Sequence, residues 1–173
     1  ITVVSDAIGQ GEVNATPLQI ANLAATIANR GYFITPHVVS KIEGGEIDSL
    51  YRTKRYTMVE RKYYEYIVAG MRRAVLNGTC RAANLPGVEV CGKTGTAENK
   101  GHDHSAFIGF APMDSPRIAI AVYVENGGFG AHFGVPIGSL MIEQYLNGKL
   151  SEESEKKAET FQNKHISYGD DER

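Results

Sequence analysis

Three apolar segments lying close together constrain the fold of this chain more than anything else in it. Residues 88–97, 105–111 and 117–125 each read as a β-strand. In the third, Ile118, Ile120, Val122 and Val124 alternate with Ala119, Ala121 and Tyr123, so both faces are apolar. The connectors, Glu98–His104 and Met113–Pro116, are short, which favours antiparallel hairpins. A sheet that is apolar on both faces needs cover on both. The expected class is therefore α/β of the α+β type: an antiparallel sheet with helices on both faces.

The rest of the chain supplies those helices. Thr16-Pro17 opens one, because Thr16 can cap free amides and Pro17 fits the first helical position. Ile20, Leu23, Ala24 and Ile27 follow at helical spacing, and Gly31 can end the helix in the left-handed conformation. Residues 37–43 read as a strand turned by Gly44-Gly45, and 46–58 as an irregular connection with room for one more strand. A helix over 59–76 carries Tyr64, Ile67, Val68, Met71 and Val75 as its apolar stripe, with Asn77-Gly78 as its stop. Asn126-Gly127-Gly128-Phe129-Gly130 is a flexible loop. A last helix begins near Val135-Pro136 and presents Ile137, Leu140, Met141 and Tyr145. From residue 149 the composition becomes charged, and 149–173 reads as a disordered tail or a surface helix.

With 173 residues, 42% of them hydrophobic, the chain can bury a core of useful size. A net charge of -2 argues against a nucleic-acid partner, which favours a basic surface. No apolar run reaches the roughly 20 residues that cross a bilayer. The sequence opens at Ile1 without a Met and reads as a piece of a longer protein. Cys80 and Cys91 are either two unrelated buried thiols or one disulfide between a helix and a strand. The disulfide would need an oxidising compartment and Cα atoms within about 7 Å.

The chemistry concentrates in Gly92-Lys93-Thr94-Gly95-Thr96-Ala97. Residues two apart on a strand share a face, so Thr94 and Thr96 point together at one ligand group. Lys93 points to the opposite face unless a twist at the glycines redirects it. Gly95 lets a ligand backbone lie close to the strand edge. A cation with convergent hydroxyls suits a carboxylate.

In its setting this motif resembles the third motif of the class B penicillin-binding proteins. The resemblance extends from Ala7-Ile8-Gly9-Gln10-Gly11 through Thr16-Pro17-Leu18-Gln19, Ala21-Asn22 and Gly78-Thr79 to the Lys93-Thr94-Gly95-Thr96 strand. It continues in Phe107-Ile108-Gly109-Phe110-Ala111-Pro112. Val124-Glu125-Asn126-Gly127-Gly128 resembles elongation-type members more than division-type ones. The resemblance implies that residues 1–148 are the C-terminal part of a DD-transpeptidase domain. Such enzymes acylate a serine with a D-Ala-D-Ala stem peptide, pass the acyl group to an amine, bind β-lactams, and use no cofactor or metal.

By matching positions, Lys93 supplies positive charge and Thr94 and Thr96 hold the terminal carboxylate. The Thr96 N–H is one of two oxyanion donors. The resemblance further implies a glycan-polymerising membrane enzyme as partner, and a parent anchored at the periplasmic face of the inner membrane. That compartment suits the disulfide alternative. The related alternatives are a serine β-lactamase, a β-lactam sensor domain or a catalytically inactive interaction domain.

The family's other two motifs, Ser-x-x-Lys and Ser-x-Asn, come earlier in the chain of its members. Here Ser-x-Asn is absent, and Ser154-Glu155-Lys156-Lys157 matches Ser-x-x-Lys only in letters, within the charged tail. The expectation is one wall of an active site without its nucleophile. His102, His104, His132 and Asp103 read as rim residues rather than metal ligands.

Overall fold

The computed structural model describes residues 2–7 and 9–166. Its centre is the expected antiparallel sheet of β3 (Cys91–Ala97), β4 (His104–Ala111) and β5 (Ile118–Val124), in that order. The register places Thr94 opposite Phe107 and Thr96 opposite Ser105; in the second pair of strands Phe107 faces Val122. The first strand begins three residues later than expected. Leu85 and Val88 instead make an isolated antiparallel bridge, which turns the chain before it enters the sheet. β4 ends at the cis Ala111–Pro112 bond.

Helices cover both faces. On one face lie α4 (Gly134–Asn147) and the 3-10 turn Arg81–Ala83, closing over Val75, Cys80, Val90, Phe107, Ile120, Val135 and Ile142. On the other lie α2 (Pro17–Ala28) and α3 (Arg61–Asn77), where Ile27, Tyr64, Val68 and Met71 meet Cys91 and Phe110. The alternation along β4 divides these cores, with Phe107 and Ala111 facing one way and Phe110 the other. Each phenylalanine contributes roughly 2–3 kcal/mol through burial. Phe107, 1% exposed, occupies space that glycines leave open. A Cβ on Gly92 or Gly138 would come within 2.5 Å of its ring. This packing holds β3 rigid beneath Thr94.

The α2 start forms as its sequence dictates. Thr16 Oγ1 accepts from the Gln19 amide at 3.3 Å, and Gln19 Oε1 accepts from the Thr16 amide at 2.7 Å, a reciprocal capping box with Pro17 at the first helical position. α3 buries Tyr64, Val68, Met71 and Val75, as its spacing predicts, while Ile67 remains exposed.

Several expectations are corrected. The residues expected to form a strand at 37–43 do not, and Val38 is fully exposed. Alternation makes a strand only where a second backbone completes its hydrogen bonds. The pairing in this region is instead between two short pieces, β1 (Tyr32–Phe33) and β2 (Arg55–Tyr56). The chain near its start includes the helix α1 (Thr2–Ala7); Ile8 lies outside the described residues.

Of the two readings left open for Cys80 and Cys91, the structure has the free, buried thiols. Their cores lie on opposite faces of the sheet, so the sheet separates them. Within the tail, read as disordered or a surface helix, Glu152–Gln162 take the helical alternative as α5, capped by Ser151 and resting on α4. The reason is a polar anchor that composition does not reveal: Glu143 of α4 is buried and accepts hydrogen bonds from the Ser151 amide at 2.9 Å and from the Ser154 hydroxyl. The tail's final residues, 167–173, lie outside the described residues.

Candidate active site

Strand β3 is an edge strand among the described residues, with β4 on one side only. Its outer edge is therefore open to a ligand. Thr94 and Thr96 are half-buried on the α4 face, and Lys93 is exposed on the other. The Lys93 side chain folds back, and its Nζ donates to the Thr94 carbonyl at 2.7 Å. The cation thus returns to the motif backbone, which the alternation rule alone did not establish. Gly95 must be small for a packing reason as well, since a Cβ there would lie 3.2 Å from the Ala106 Cβ.

Three further segments converge on the strand. The Thr79 hydroxyl lies 2.8 Å from the Thr94 hydroxyl. Gln10 Oε1 accepts from the Glu98 amide at 3.1 Å, joining the Gly9-Gln10-Gly11 turn to the end of β3. The loop ahead of α4 crosses the Thr94 face so closely that a Cβ on Gly130 would sit 2.6 Å from the Gly95 carbonyl and 3.0 Å from the Thr94 Cβ. Ser105 holds this loop in place: its buried hydroxyl donates to the Phe129 carbonyl at 2.9 Å and accepts from the Gly134 amide at 3.0 Å.

Sequence reasoning assigned no role to Ser105, although a serine at an inward position of an apolar strand was the available signal. Thr79 was visible only as a family marker. The sequence-predicted Lys93, Thr94, Gly95 and Thr96 are brought together. Cys80 lies directly behind them. Burial pushes its thiol up, against the lowering influence of the Thr79 hydroxyl, the Thr94 backbone and the Lys93 charge. Burial likewise pushes Cys91 up to about 11, so neither thiol supplies a thiolate at neutral pH.

The histidines serve the rim. His104 Nδ1 accepts from the Asn126 amide at 3.0 Å, and the His132 ring meets Phe129 edge-on. Among the described residues, no group of three or more His, Cys, Asp or Glu side chains is placed to hold a metal. Ser154 is buried, with its hydroxyl committed to Glu143. Beside Lys93, between α2, α3 and β4, lies an apolar hollow of about 640 Å³ lined by Ile27, Ile67, Met71, Ala74 and Ile108.

A family model described as the penicillin binding protein transpeptidase domain matches residues 2–141. The peptidoglycan D,D-transpeptidase PbpA of Mycobacterium tuberculosis is 36% identical over 157 residues, covering 82% of this chain and 31% of that protein. The crystal structure of Pseudomonas aeruginosa PBP2 in complex with WCK 5153 is similar with a TM-score of 0.75 at 33% identity, over 88% of this chain and 34% of that one. The imipenem acyl-enzyme complex of penicillin-binding protein A from M. tuberculosis aligns with a TM-score of 0.69 at 35% identity, over 81% of this chain and 33% of that one. The chain thus spans about a third of the length of the relatives it matches.

Proposed function

Because this chain belongs to the penicillin-binding protein transpeptidase domain family, as a class B, elongation-type member, we propose that it forms the carboxylate-binding wall of a serine DD-transpeptidase. The observation that carries this reading is the open edge of β3, which gathers Lys93, Thr94 and Thr96 around one strand. Its nucleophile is proposed to be the serine of a Ser-x-x-Lys motif elsewhere in the parent, since Ser154, which matches that motif in letters, is buried and tied to Glu143. The apolar hollow beside Lys93 gives that part of the parent a place to pack.

The donor's terminal carboxylate binds Thr94 and Thr96, with Lys93 supplying positive charge. The serine oxygen attacks the carbonyl between the two D-Ala residues. The carbonyl electrons move onto oxygen, which the Thr96 N–H helps stabilise. Collapse breaks the amide and releases free D-Ala, which takes up a proton. An acceptor amine then attacks the ester, forms the cross-link and regenerates the serine. A β-lactam enters the same first step but its leaving group stays attached, so it blocks the second.

The proposal includes a location for the domain at the periplasmic face of the inner membrane, working with a glycan-polymerising membrane enzyme. No helix among the described residues is long and apolar enough to cross a membrane; the anchor is proposed to lie elsewhere in the parent. Incubating the full-length protein with a D-Ala-D-Ala stem peptide and an amine acceptor tests the reaction. One D-Ala released per cross-link is expected. A protein that binds the peptide and releases none contradicts the reading.

A further inference from the structure

The turn after α3 is built to hold one hydroxyl against the motif strand. The Ala74 carbonyl accepts from the amides of both Gly78 at 3.1 Å and Cys80 at 3.0 Å. A Cβ on Gly78 would lie 2.9 Å from the Ala74 Cα, so the turn sits tight on the helix end. Cys80 is wholly buried and fixes the other flank. Between these two anchors Thr79 is exposed, and its hydroxyl lies 2.8 Å from that of Thr94. Gly130 closes the opposite side of Thr94.

A threonine hydroxyl has one hydrogen to donate and two lone pairs to accept with. If Thr79 accepts from Thr94, the Thr94 hydrogen is spent inside the protein. If Thr79 donates, that hydrogen is free for a ligand. A carboxylate at the strand edge selects the second arrangement, because hydrogen bonds to an anion are the stronger ones. We propose that Thr79 is a positioning residue for recognition of the donor's carboxylate, holding the Thr94 hydroxyl with its hydrogen aimed at the anion. This rests on the transpeptidase reading above and adds a residue to it: Thr79 tunes specificity for anionic over neutral acyl donors without touching the donor.

The test measures second-order acylation of the full-length protein by benzylpenicillin and by its methyl ester. The proteins compared are the unsubstituted form, Thr79→Ser, Thr79→Val, Thr94→Val and the Thr79→Val/Thr94→Val pair. Losing one such hydrogen bond should slow Thr79→Val about five- to tenfold with the acid, while Thr79→Ser stays within about twofold. The ester should be acylated equally by the unsubstituted form and both Thr79 variants. In the Thr94→Val background, Thr79→Val should add no further loss.

Equal slowing with acid and ester would mean that Thr79 only braces the turn, and would overturn the proposal. No slowing with the acid would overturn it too. An unsubstituted protein that takes up neither compound would refute the transpeptidase reading itself, and the inference would fall with it.

Discussion

Phe107 shows how a single side chain sets the site. Its ring lies where Gly92 and Gly138 leave room, on the face that carries Thr94. Phe107→Ala should cost about 3–5 kcal/mol, measured by denaturant unfolding, because the glycines around it cannot fill the void. A cost below about 1 kcal/mol would contradict this packing. At this scale the sequence was legible where a residue's neighbours along the chain decide its role. Thr94 and Thr96 share a face because they are two apart. The return of the Lys93 ammonium to the Thr94 carbonyl, and the pairing of Thr79 with Thr94, depend on contacts made only on folding. The two readings of the cysteines stayed open for the same reason. Which face of the sheet each thiol enters is not set by the ten residues between them.

Among the elements, the strands and long helices were legible because each buries one side against the same sheet. The segment at 37–43 was not, since its β-branched residues met no partner backbone. Whether the tail is disordered or a surface helix stayed open because Glu143, not an apolar stripe, secures the start of α5. Burial alone would raise the Glu143 carboxyl, but the Ser154 hydroxyl and the Ser151 amide outweigh it and hold the group below its ordinary value. A carboxyl lowered on folding contributes stability that is complete above its unfolded value, about 4.3, and is lost as pH falls through the folded one. Thermal melting between about pH 3 and 6 should therefore show an acid-side loss that Glu143→Gln reduces. Equal pH dependence in the two proteins would contradict the anchor.

Across the described residues, the sheet holds two cores apart, and the outer edge of β3 lies open beside an apolar hollow. Segments far apart in sequence, Gln10, Thr79 and the Gly130 loop, meet at that edge. On the proposed function this arrangement is the recognition half of an acyl-transfer site, and Ser154 is buried with its hydroxyl bonded to Glu143. On the proposed function, these residues receive a serine from outside positions 1–173. Mapping the penicillin adduct of the full-length protein by peptide mass spectrometry tests it most directly. The expected adduct is on the serine of a Ser-x-x-Lys motif preceding residue 1. An adduct on Ser154, or on any other residue of this chain, would contradict the account.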